Sequence, residues 1–177
     1  DEGQLEQMHR EYMAQAESVG SVPVPGTLKG MFKTTTAKMA GTRPEPLADK
    51  LGERLAFERT GTRLYEAMLL KISALPEKAA ATDALDGDGN PQAVGSRVDA
   101  LSLQRLRSDE QAHMHLVRQA LQEMGADPTA MTPCADVAGV LAQGVMQTLS
   151  DPRTTVAQCL NALLTVELSD HAGWELL

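Results

Sequence analysis

Aromatic residues are scarce in this chain of 177 residues: two Phe, two Tyr and one Trp, 3% of the whole. A core made mostly of Ala, Leu and Met suits packed helices. Cysteine is nearly absent. Cys134 and Cys159 are too few for a disulfide framework, which fits a reducing, cytoplasmic setting, and each is expected as a small buried apolar residue. Basic residues are outnumbered, 16 against 24 acids, for a net charge of −8. That excludes a dedicated nucleic-acid binder, which needs a basic face. No run of 18 apolar residues exists, so no membrane span is expected. No signal peptide is visible, yet the chain starts at Asp1 without Met, so a removed leader stays open. What remains is 42% hydrophobic and long enough for one domain with a sizeable core.

Hydrophobic periodicity is helical wherever it is strong, and no strand-like alternation competes with it. The organising stretch is Leu103–Met124. Its stripe runs Leu103, Leu106, Glu110, His113, Val117, Ala120, Met124, in steps of three and four that keep all seven on one face. An earlier helix is predicted from Pro46 to Leu75, striped by Leu51, Leu55, Glu58, Thr62, Tyr65, Leu69 and Ile72. A third follows Asp151-Pro152, read as cap and first-turn proline, with the stripe Val156, Leu160, Leu163, Glu167, Asp170, Trp174, Leu177. A shorter helix over 135–149 precedes it, and Gly125 is a stop signal for the helix before.

The chain divides at residue 45 into an N-terminal part and a helical domain over 46–177. Residues 2–17 predict a short polar helix, and 20–46 a long Gly/Pro/Thr-rich connector. Between Glu17 and Glu45 the chain carries Lys29, Lys33, Lys38 and Arg43 with no acid, a locally basic arm expected to be solvated or to meet an acidic partner or a neighbouring subunit. In the loop 77–96, Asp86, Asp88 and Asn90 open like a calcium loop. Pro91 and Arg97 occupy the positions that need Gly and Glu, so a plain turn is expected.

The chemistry lies in the acids on apolar stripes. A carboxylate on a core-facing stripe is costly unless something neutralises it. Glu58, Glu110 and Glu167 stand mid-stripe on three helices, joined by His113 and, less securely, Asp170. Packed in a bundle, they meet at one depth, where several carboxylates cannot all stay ionised without cations. Two metal ions with bridging carboxylates resolve that conflict. Oxygen-rich ligation with one imidazole favours iron, with manganese or zinc as alternatives. The blander expectations are that His113 is a satisfied core histidine and that Glu58 and Glu167 pair with Arg54, Arg63 or Arg107, although these arginines lie off the stripes. Tyr65 and Trp174 are expected as core, Asp109 as a hydrogen-bond acceptor behind the ligands or a water-facing acid, and His115 and His171 as peripheral.

The segments LGERLAFERTGTRLYEA (51–67), SDEQAHMHL (108–116) and LLTVELSDHAGWELL (163–177) resemble helices A, B and C of ferritin-like proteins. ERLAFERTGTRLYE with GADPTAMTPCADVAGV and DPRTT is similar to a bacterial group of that superfamily. The resemblance implies an all-α, antiparallel four-helix bundle with a long B-to-C crossover over 125–152. It also implies metal ligands at Glu58, Glu110, His113 and Glu167. A second Glu-x-x-His, expected on a fourth helix, does not follow Glu167. A natural chain running past Leu177 is the first expectation; otherwise Glu167 with Asp170 or His171, or Glu6-x-x-His9, fills the place. The function expected is a di-iron or di-manganese protein reacting with a small oxidant, dioxygen or peroxide, of ferroxidase, peroxidase or oxidase type, and homo-oligomeric, with a dimer first. The alternative is a non-catalytic helical interaction module whose buried acids are paired internally.

Overall fold

A computed structural model describes residues 2–39, 44–74 and 100–177. The fold is all-α: the described residues form six helices and no strand. They are α1 (Glu2–Gln15), α2 (Leu28–Met39), α3 (Glu45–Ala74), α4 (Ala100–Met124), α5 (Pro133–Ser150) and α6 (Val156–Glu175). The predicted loop over 77–96, with Asp86, Asp88 and Asn90, lies outside the described residues, as does Arg43.

Helix α3 is the axis of the fold. Arg107 of α4 bonds Glu66, while His113, six residues further along α4, faces Glu58, so the two helices run antiparallel. Helix α6 is antiparallel to α3 as well, with Asp170 at Arg54 and Glu167 at Tyr65. Helix α5 runs parallel to α3: Cys134 near its start bonds Asp49, and Asp151 at its end meets Lys71. The stretch expected as a crossover is therefore largely one helix lying along α3. Its sequence has no acid beyond Asp136, so it brings no carboxylate to mid-bundle.

Local chemistry explains the ends. Thr132 caps α5 through Ala135 N–H, with Pro133 in the first turn. Thr155, rather than the expected Asp151-Pro152, caps α6 in a reciprocal box with Gln158. Asp151 instead closes α5, its N–H bonding the Gln147 carbonyl. Lys71 binds the Asp151 and Thr154 carbonyls and so ties α3 to the α5–α6 turn. Gly125 ends α4 at φ 87°, a conformation that favours glycine.

The connector 20–46 is not all irregular, because α2 forms within it. Gly30 lets α2 touch the backbone of Gly125, where any Cβ would overlap the carbonyl. Lys33 donates to the Glu123 carbonyl at 2.6 Å, placing a cation at the negative end of α4. The basic arm is thus partly spent on the protein itself. By contrast α1, a helix as expected, has no buried residue.

Two apolar clusters form the core. Leu64, Tyr65, Met68, Leu103, Leu149, Cys159 and Leu163 join all four long helices. Leu55, Val117 and Leu121 make a second cluster between α3 and α4. Along α3, Glu58 falls between Leu55 and Leu64; along α4, Glu110 falls between Leu103 and Val117. The acids form a polar layer between two apolar ones. The stripes were too generous at their edges: Leu106 is 43% exposed and Leu177 45%, and both face solvent rather than core. Cys159 is buried as expected, whereas Cys134 is only half-buried.

Candidate metal centre

Glu58 is fully buried and Glu110 is 7% exposed. The seat of Glu110 depends on a glycine one turn beyond Glu58. A Cβ on Gly61 would overlap Oε2 of Glu110, so only glycine lets that carboxylate lie against α3. His113, one turn from Glu110 on α4, reaches the same place with Nδ1 3.3 Å from Oε2 of Glu58. One ligand atom from each of Glu58, Glu110 and His113 falls within 4.8 Å of the other two.

Glu58 Oε2 and His113 Nδ1 are both buried and make no hydrogen bond among the described residues, but they stand 3.3 Å apart, close enough to pair with each other when one of them carries a proton. A buried polar atom without a partner is costly and calls for an explanation. A cation is one: atoms 3.3 Å apart at ~2.1 Å from an ion subtend about 100°. Glu58 and His113 therefore have the spacing of two ligands of one small divalent ion, with Glu110 close by.

The layer is electrostatically loaded. Glu58 is pushed up to about 9, first by burial and then by the charges of Asp170 and Glu110. Burial, with Glu167 and Asp170 nearby, pushes Glu110 up to about 7. Burial and the bond to Glu167 raise the Tyr65 phenol far above its ordinary range. In all three groups burial is the largest cause, and the neighbouring carboxylates add to it.

The remaining predicted residues are brought close but have other partners. Glu167 accepts a 2.6 Å hydrogen bond from Tyr65 Oη and stands outside the three-residue group. Asp170 is held by Arg54, with Nη1 at 2.8 Å from Oδ1 and 3.2 Å from the main-chain oxygen. Arg54 was expected off the buried stripe; it is 3% exposed instead. The reason is that α3 packs against α4, α5 and α6, leaving the stripe Arg59, Arg63, Glu66 and Leu70 as its exposed face. Gly173 makes room for the guanidinium, which a Cβ there would strike. Arginine therefore neutralises Asp170 but neither Glu58 nor Glu167, whose expected pairing with Arg54 or Arg63 is not found; Arg107 bonds the exposed Glu66 instead. Trp174, expected as core packing, donates its Nε1–H to Glu58 Oε1 at 2.9 Å. His115 and His171 are exposed. The signals missed in the sequence were the mid-helix glycines opposite charged side chains.

Gly61→Ala should displace the Glu110 carboxylate. Helix propensity would gain about 1 kcal/mol and overpacking would cost about 1–3 kcal/mol. We expect a small net loss in thermal stability and a large loss of bound metal by elemental analysis. Full metal content in Gly61→Ala would contradict this geometry.

Matched against models of protein families, against curated proteins and against solved structures, the chain finds no counterpart.

Proposed function

We propose that this protein is a metal-binding helical protein of ferritin-like type, holding redox-active divalent cations at Glu58, Glu110 and His113. Glu167, adjacent in the same layer, is the reserve ligand for a second ion. The observation that carries the reading is the pair of buried, unbonded ligand atoms, Glu58 Oε2 and His113 Nδ1, facing each other 3.3 Å apart. Iron or manganese suits a site of carboxylates and one imidazole, with zinc as the non-redox alternative. The bound metal supplies redox chemistry toward dioxygen or peroxide.

The chain does the rest. The apolar clusters above and below the layer exclude water, and Gly61 seats Glu110. His113 remains 45% exposed at its side chain and marks the side from which a small oxidant arrives. Glu58 and Glu110 give up their protons when an ion binds and take them back when it leaves. The Tyr65 hydroxyl orients Glu167 without joining the ligands.

A second reading is a non-catalytic helical module with internally paired acids. The Arg54–Asp170, Tyr65–Glu167 and Trp174–Glu58 bonds favour it. Elemental analysis of protein purified without chelators separates the two. Stoichiometric iron or manganese, lost in Glu110→Ala and His113→Ala, is the expected result. Metal-free protein that folds and behaves alike in both variants would favour the module. If the metal is present, removing it with a chelator should lower Tm, since an ion bound only to the folded state stabilises it by mass action.

A further inference from the structure

Trp174 is the single tryptophan of the chain, and it touches two of the three candidate ligands. Its indole N–H holds Oε1 of Glu58 at 2.9 Å. Its ring stands edge-on to the His113 imidazole, centroids 5.8 Å apart at 68°. An indole N–H is a donor only, so Trp174 cannot itself ligate a cation. What it does is divide the two oxygens of a fully buried carboxylate. Oε1 is bonded by the indole; Oε2 makes no hydrogen bond and lies 3.3 Å from Nδ1 of His113.

We propose that Trp174 is a positioning residue that sets cation selectivity, by restricting Glu58 to ligation through Oε2 alone. This deepens the metal-centre reading and rests on it. Calcium takes about 6–8 oxygens and draws heavily on bidentate carboxylates. A site whose central carboxylate offers one oxygen, beside an imidazole nitrogen, is poorly matched to Ca2+. It is well matched to smaller divalent ions of the Mn2+ and Fe2+ kind, for which single oxygens and a nitrogen suffice. The same device recurs within the layer. Tyr65 holds Oε1 of Glu167 at 2.6 Å, so this carboxylate also has one oxygen engaged by an aromatic donor. Two acids from different helices are thus treated alike, each by a side chain packed into the core or against it.

The test is a Mn2+ titration of the full chain followed by electron paramagnetic resonance, repeated in a large excess of Ca2+. For the natural sequence, Mn2+ binding should be indifferent to Ca2+. Trp174→Phe keeps a ring and removes the donor. Loss of a hydrogen-bond partner to a ligand should weaken Mn2+ binding about 10–100-fold. The diagnostic result is that Ca2+ now competes. An unchanged Mn2+/Ca2+ ratio in Trp174→Phe overturns the proposal, even if both affinities fall, because a merely structural role would lower them together. One measurement needs no variant: Mn2+ should quench the emission of the lone indole, while Ca2+ at equal concentration leaves it unchanged. Equal responses to both ions would also overturn it. Should the natural protein bind no Mn2+ at all, the metal-centre reading fails first. If Glu110→Ala loses Mn2+ while Trp174→Phe stays selective, only the selectivity proposal fails.

Discussion

Arg54→Ala is expected to lower Tm by about 10 °C, the largest single effect in the protein. The guanidinium is 3% exposed and bonds both the side chain and the main chain of Asp170. It also stacks over Phe57, 4.6 Å from the ring centroid. Removing one partner of a buried ion pair costs about 3–5 kcal/mol, because the other charge is left without compensation. Here the stranded Asp170 would also add to the charge that already burdens Glu58. Replacing both members is a different matter. Arg54→Met with Asp170→Leu should recover most of the loss, since a buried pair is often no better than well-packed apolar groups. Thermal unfolding of the two single variants and the double variant measures the coupling directly. A change of only a few degrees in Arg54→Ala would mean that solvent already reaches the pair.

That arginine also shows where reading the sequence stops. The period of α3 placed Leu55, Glu58 and Tyr65 on one face, and all three are buried. The same period left Arg54 outside, because a stripe assumes one buried side. Helix α3 instead packs against α4, α5 and α6, so Arg54, Leu64 and Met68 are buried too. The acids on α4 and α6 were legible for the opposite reason. Those helices bury one side each, and an acid there stands out. Glu110 and His113 reach Glu58 as their spacing implied, while Asp170 reaches Arg54. Helix α2 was hidden by composition. Its Gly30 looks like a breaker, and only the facing backbone of Gly125 explains it. The caps went astray for a related reason. Asp151 and Thr155 are both good capping residues four positions apart, and the choice between them lies in which backbone N–H each can reach.

Without bound metal, the fold is expected to lose stability as pH rises from about 4.5 to 9. Glu58 is raised to about 9 and Glu110 to about 7, against 4.5 for an ordinary glutamate. Between those values the folded chain holds protons that the unfolded chain has released. Stability then falls with pH, by at most about 1.4 kcal/mol per unit for each group still protonated in the fold. Their contribution is complete below 4.5 and disappears first through 7 for Glu110, then through 9 for Glu58. The two carboxyls interact, so the protons leave the pair in two steps. Opposite slopes arise only at lower pH: Asp49, Asp127 and Asp151 are held below 3.8, and their stabilisation is lost as they protonate. The metal-free protein should therefore be most stable near pH 4–5 rather than near neutrality. Binding a divalent ion reverses the trend, because the ion displaces the protons and its affinity grows as they leave. Scans of Tm from pH 5 to 9, with chelator and with Mn2+, should diverge steadily toward high pH. Parallel curves would mean that the carboxylates of this layer are neutralised by something other than a cation, and flat curves that water already reaches them.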